Sequence, residues 1–117
     1  MRVFKFGGGT IKDAESVRHT ASIIQKYTSG PLVVVVSAMD KMTNALEELL
    51  KVSIQDGAPI AGLIHDIRQY HFTIAEDLFP DKVHAVYPAL NQLFEQLEEQ
   101  CELATGHDYD YEYDQVV

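Results

Sequence analysis

Basic residues are scarce in this 117-residue chain: 9 Lys and Arg stand against 18 Asp and Glu, for a formal net charge of -9. Nucleic-acid binders present a basic stripe to the phosphates, so a polyanionic partner is not expected. Cysteine is nearly missing too, and the lone Cys101 can close no intrachain disulfide, which removes the framework typical of small secreted domains. Long apolar runs are absent. The longest, PLVVVV, falls far short of the roughly 20 residues that a helix needs to cross a bilayer, and the N-terminus carries no apolar signal region. Neither membrane nor secretion is expected, and the cytoplasm is the simplest compartment. What remains is 46% hydrophobic, enough for one domain with a modest core. No internal repeat or linker interrupts it.

The periodicity predicts an α/β chain: a βαβ unit followed by helices. Val3 to Phe6 forms a short strand and Leu32 to Val36 a second, whose unbroken β-branched run suits the interior of a parallel sheet. Between them, Val17, Ala21, Ile24 and Tyr27 recur at helical spacing over Ala14 to Tyr27, with Gly30 and Pro31 as the return turn. A loop from Ser37 leads to a helix near Thr43, which buries Leu46, Leu49, Leu50 and Ile54 and ends at Asp56 and Gly57.

Two further stripes predict a long helical hairpin. Ile60, Leu63, Ile64, Ile67, Ile74 and Leu78 make one, Val83, Val86, Leu90, Leu93, Leu97 and Cys101 the other, with Phe79 and Pro80 at the turn. Pro88 either kinks the second helix or marks its true start, and Gly106 caps its end. The tail, HDYDYEYDQVV, alternates acid with tyrosine and is expected to be a solvated strand or loop. Two strands are too few for a doubly wound sheet, so the chain has the look of part of a larger domain.

Chemistry concentrates where the strands end. In an open parallel sheet, ligands bind outside the carboxyl ends of the strands. Here the first end delivers Lys5, Gly7, Gly8, Gly9 and Thr10, and the second delivers Ser37 and Ala38, with Thr43 and Asn44 at the next helix. Glycine N–H groups and a lysine suit a phosphate, and a helix beginning just beyond would aim its positive end at the same place. Ser37 and Thr43 could then hydrogen-bond a polar substrate. A glycine cluster after a strand is also often only a tight turn, and a Ser or Thr before a helix only a cap, so spacing alone leaves both readings standing.

Standard nucleotide motifs do not fit. There is no Gly-Lys pair for a Walker A loop, and a dinucleotide fingerprint from Gly7 would need glycine where Lys12 stands. His65 and His71 fall on different faces of one helix, which disfavours a metal site. Asp108, Asp110, Glu112 and Asp114 lack the glycine of a calcium loop, its place being taken by Tyr113. Cys101 lies on an apolar stripe and is expected to be a packed thiol.

KFGGGT, directly after the first strand, resembles the KFGGTS signature of the aspartate kinases, and VVVVSAMDKMTNALEELL resembles their second signature, a strand followed by SAM and then TN at a helix start. Order and spacing agree along essentially the whole chain, and glutamate, acetylglutamate and uridylate kinases lack the SAM-to-TN arrangement. The resemblance implies a partial three-layer αβα amino-acid kinase fold of the carbamate kinase-like type. Residues 1–117 would then be the N-terminal part of the catalytic domain, without the ATP-binding half and the regulatory ACT domains.

Residue by residue, the resemblance implies that Lys5 neutralises the transferring γ-phosphoryl group. It implies that Gly7 and Gly8, with Gly9 and Thr10, face the ATP phosphates, and that Ser37, Ala38 and Thr43 contact L-aspartate. ATP and Mg²⁺ would serve the full-length parent, which would be a homo-oligomer, and the product would be 4-phospho-L-aspartate for lysine, threonine and methionine biosynthesis. Gly9-Thr10 replaces the family's Thr-Ser, and Asp40-Lys41 replaces its glycines. The chain alone is expected to be inactive and prone to self-association. The alternative is a stand-alone module that binds an anion or a protein partner.

Overall fold

The computed structural model describes residues 1–27, 29–55, 59–104 and 109–117. Strands β1 (Arg2–Phe6) and β2 (Leu32–Val36) flank helix α1 (Ala14–Gln25), and four helices follow: α2 (Met42–Ser53), α3 (Ala61–Leu78), α4 (Val86–Leu103) and α5 (Tyr109–Val116). The architecture is α/β, with a βαβ unit ahead of a helical region that includes the expected hairpin. Asp56, Gly57, Gly106 and Asp108 lie outside the described residues.

The chain divides into two compact units, Met1–Met42 and Thr43–Val117. In the first, β1 and β2 pair in parallel with Arg2 opposite Leu32 and Phe6 opposite Val36. Side chains alternate across a strand, so Phe4 and Phe6 share one face and Val3 and Lys5 the other. Tyr27 packs edge-on to Phe4 at 5.0 Å between ring centroids, and the Arg2 guanidinium lies 4.7 Å from the same ring. The phenylalanine face is thereby covered.

β2 departs from expectation. Val33 to Val36 are 37–60% exposed, not interior. A β-branched run is suited to burial on both faces, but burial requires neighbours, and among the described residues this sheet holds β1 and β2 alone. The apolar run describes what the strand can bury.

α1 begins where its cap dictates. Asp13 is extended (φ -154°), its carboxylate accepts from the Ser16 amide at 2.8 Å, and the Ser16 hydroxyl accepts from the Asp13 amide at 3.0 Å, a reciprocal capping box. The Ser16 amide and then its hydroxyl hold the Asp13 carboxyl below its ordinary 3.8. Because the folded value is the lower one, the cap contributes above pH 3.8 and fades as pH falls through the folded value.

In the second unit, α3 and α4 form the antiparallel hairpin. Ile64, Ile67 and Ile74 of α3 are buried as the stripe predicted, with Ala75 beside them, and the α4 stripe holds in part. Cys101 is buried and Leu97 packs against the core as expected, but Tyr87 and Phe94 are buried too, whereas Leu93, and Val83 ahead of the helix, are 60% and 85% exposed. The aliphatic stripe passed over the two aromatics, which fill more space: Phe94 and Tyr87 both meet Phe72 at 6.3 Å. Pro88 falls in the first turn of α4, where a missing N–H costs nothing, so it marks a helix start and not a kink.

Tyr109–Val116 of the tail form helix α5, not a strand or loop. Its alternation is overruled by contacts that only a helix can make together: Gln100 Nε2 donates to Glu112 Oε2 at 2.6 Å, Tyr113 Oη donates to Glu47 Oε1 at 2.9 Å, and Val116 packs with Leu50 and Ala104. Glu112 is 1% exposed, and Cys101 beside it is a buried thiol pushed above its ordinary value by burial. Leu50 is fully buried in this cluster. Leu50→Ala should therefore destabilise the chain by about 2–4 kcal/mol, read from urea unfolding, since the cavity cannot collapse around three converging helices.

Candidate functional site at the strand ends

The parallel register brings the carboxyl ends of β1 and β2 to one sheet edge, and the two loops that leave it are hydrogen-bonded to each other. The Ser37 amide donates to the Phe6 carbonyl at 3.1 Å, extending the ladder by one rung. The Asp40 amide then donates to the Gly8 carbonyl at 3.0 Å. Gly7, Gly8, Gly9, Ser37 and Ala38 are thus gathered in one place, with Lys5 one residue short of the strand end. Its side chain is exposed on the face opposite Phe4 and Phe6. Thr43 is the second residue of α2 and belongs to the second unit.

The glycines are not equivalent. A Cβ on Gly8 would lie 2.5 Å from the Asp40 carbonyl oxygen and 3.0 Å from that of Ala38, while one on Gly7 or Gly9 would meet nothing within 4 Å. Gly8 is needed for close approach of two backbones, whereas Gly7 and Gly9 border open space. None of the three adopts left-handed backbone; Asp40 does, at φ 46°. That strain sits in the second loop.

Main-chain anchoring aims the donors. The Gly7 carbonyl accepts from the Thr10 amide at 3.0 Å and from the Ile11 amide at 3.3 Å, which closes the glycine turn. A trans peptide is planar with its C=O and N–H opposed, so a carbonyl turned into the loop turns the next N–H out of it. The Gly8 N–H follows the Gly7 carbonyl, and the Gly9 N–H follows the Gly8 carbonyl. Neither N–H has a hydrogen-bond acceptor among the described residues. A pair of outward donors beside open space suits an anion.

The expected help from α1 is smaller. Its first turn carries its own carboxylate from Asp13, which occupies the Ser16 amide and offsets the positive helix end. Thr10 has its amide tied to Gly7, leaving its hydroxyl as the group it can offer. The Ser37 hydroxyl donates to the Ala38 carbonyl at 2.8 Å, so its lone pairs remain to accept. The structural part played by Asp40 was not foreseen, although it stands where the aspartate kinase signature has glycine, and glycine is the residue that most readily takes left-handed backbone.

Among the described residues no three His, Cys, Asp or Glu side chains come together as a metal-binding group. His71 is packed, with Nδ1 2.8 Å from the Ile67 carbonyl and its ring edge-on to Phe94. His65 lines a groove of about 320 Å³ in the second unit with Ile60, Arg68, Glu98 and Glu102. None of the residues singled out at the strand ends borders it.

Comparison with known proteins bears on this geometry. The profile of the Amino acid kinase family matches residues 1–103. An aspartokinase of Chlamydia trachomatis is 35% identical over 97 residues, which are 83% of this chain and 21% of that protein. The chloroplastic bifunctional aspartokinase/homoserine dehydrogenase 1 of Arabidopsis thaliana is 28% identical over 90 residues, 76% of this chain and 10% of that one. Among solved structures, E. coli aspartokinase III in complex with aspartate and ADP superposes with a TM-score of 0.77 at 24% identity, over 99% of this chain and 26% of its own. The aspartate kinase of Clostridium acetobutylicum gives 0.73 at 20% identity, over the same shares. These two likenesses establish a shared fold. The chain spans about a fifth of the Chlamydia relative.

The unequal glycines give a direct test. Gly8→Ala should destabilise the first unit by about 1–3 kcal/mol in thermal melts, as overpacking against fixed backbone does, while Gly7→Ala and Gly9→Ala change stability by less than about 0.5 kcal/mol.

Proposed function

The chain belongs to the amino acid kinase family, and from that membership we propose that it forms the acceptor side of an aspartate kinase catalytic domain, which transfers the γ-phosphoryl group of ATP to the β-carboxylate of L-aspartate. The observation that carries the reading is the joining of the glycine loop and the Ser37 loop at one sheet edge, with two outward N–H donors and Lys5 alongside. A phosphoryl donor and a small polar acceptor have to meet in line, and two adjoining strand ends offer a place for each.

In the proposed reaction a β-carboxylate oxygen of aspartate forms a bond to the γ-phosphorus as the bond from that phosphorus to the bridging oxygen breaks, and ADP leaves with the electron pair. The acceptor is already ionised, so no general base is required. The protein's work is positioning and charge stabilisation. Lys5 carries a positive charge toward the transferring group, and the Gly8 and Gly9 N–H groups donate to its oxygens, interactions that gain most as charge spreads in the transition state. Ser37, Ala38 and Thr43 hold and orient the amino acid. Mg²⁺ would neutralise phosphate charge in the assembled enzyme, held by groups outside those described here.

The remaining nucleotide site and the regulatory ACT domains belong, in this reading, to the rest of the parent, consistent with the chain spanning 26% of the solved E. coli relative. The exposed valines of β2 would be covered there, and left bare they favour self-association. The parent would work in the cytoplasm as a homo-oligomer in the biosynthesis of lysine, threonine and methionine.

In a full-length parent, Lys5→Ala should lower kcat by about a hundredfold or more while KM for aspartate stays within about threefold, because the lost charge acts chiefly in the transition state. The 117-residue chain itself, incubated with ATP, Mg²⁺, aspartate and hydroxylamine, should yield no aspartyl hydroxamate above a Lys5→Ala control. An unchanged kcat would remove Lys5 from the mechanism, and turnover by the short chain would show the active site to be wrongly assigned.

A further inference from the structure

We propose that Asp40 is a positioning residue whose main chain sets the direction of the Gly9 N–H, so that the glycine loop is aimed at an anion by the loop that follows the other strand. The proposal rests on the reading of the glycine loop as a phosphate cradle. Its ground is the peptide plane shared by the Gly8 carbonyl and the Gly9 N–H. The Asp40 amide donates to that carbonyl at 3.0 Å, and the N–H on the other side of the same plane is thereby held pointing away from Asp40. If the plane turned over, a carbonyl oxygen would face the anion in place of a donor.

Two features show how tightly the contact is set. Asp40 has φ 46°, and among the described residues no other non-glycine takes a positive φ. Moreover, the position a Cβ on Gly8 would take lies 2.5 Å from the Asp40 carbonyl oxygen and 3.2 Å from its amide nitrogen, so both polar groups of Asp40 lie against Gly8. Asp40 thus makes its contact with Gly8 from a left-handed turn, a conformation that aspartate is among the few side chains to accept without large cost. A β-branched residue does not. The Ala38 carbonyl, which accepts from the Ser37 hydroxyl, also borders Gly8 at 3.0 Å from that point, so the hydroxyl expected to meet the acceptor substrate belongs to the same packed cluster.

Gly8 N–H provides an internal control. Its direction is set by the Gly7 carbonyl, which is bound by Thr10 and Ile11 and not by Asp40. Disturbing Asp40 should therefore affect one of the two donors and spare the other.

The experiment uses the 15N-labelled chain, inorganic phosphate as the probe, and the variants Asp40→Asn, Asp40→Gly and Asp40→Val. Phosphate should shift the Gly8 and Gly9 amide resonances of the wild type, and the residue-40 amide should be protected from hydrogen exchange. Asp40→Asn and Asp40→Gly, which accept left-handed backbone, should keep both signatures and bind phosphate at least as well as the wild type. Asp40→Val should lose the residue-40 protection, weaken phosphate binding by about fivefold or more, and lose the Gly9 shift while keeping that of Gly8. If Asp40→Val unfolds, Asp40→Ala supplies the same comparison with a milder strain. A folded Val or Ala variant that retains the Gly9 shift and the wild-type affinity overturns the proposal, as does equal damage in the Asn and Gly variants. A wild type whose Gly8 and Gly9 amides ignore phosphate overturns the cradle reading instead, and residue-40 exchange protection then still shows whether the two loops are joined.

Discussion

The parallel pairing of β1 with β2 is the constraint on which the candidate site depends. Parallel strands point their carboxyl ends the same way, so the loops after Phe6 and after Val36 must leave the same sheet edge. An antiparallel hairpin of the same residues would send them to opposite edges. The register then decides which residues meet: the rung from Ser37 to Phe6 places Asp40 within reach of Gly8. A slip of one residue would move Lys5 to the face now holding Phe4 and Phe6.

Backbone, more than side chains, builds the loops. The Gly7 and Gly8 carbonyls are each tied inward, and the two following N–H groups are left outward, an arrangement suited to an anion without added charge. This matters in a chain with a net charge of -9, where an anionic ligand meets general repulsion and local donors have to offset it. It also explains why close approach is concentrated at Gly8, the one glycine of the three wedged between main-chain oxygens.

The second unit illustrates a different balance. Its centre is the apolar contact of Leu50, Ala104 and Val116, yet α5 is also held by side-chain hydrogen bonds, among them Gln100 to Glu112 and Tyr113 to Glu47. Burying Glu112 costs free energy unless its oxygens are met, and the Gln100 amide meets one of them. An eight-residue helix has too little internal hydrogen bonding to persist alone, so these contacts determine that the segment is helical.

The sequence by itself determined what depends on local pattern: both strands, α1 and the hairpin, the glycine loop and the Ser37 loop, and the aspartate-kinase-like motifs on them. Periodicity, glycine and proline carry that information because they act within a few residues. Tertiary structure alone decided the rest. The exposure of Val33 to Val36 depends on how many neighbours a sheet has, and the turn of α4 toward Tyr87 and Phe94 depends on the space facing it. The helicity of the tail depends on partners at Glu47 and Gln100, far away in sequence. The replaced glycine at Asp40 hinted at left-handed backbone, but the crowding of Gly8 against Asp40 and Ala38 was invisible, because it is a meeting of two segments and a pattern within one does not contain the other.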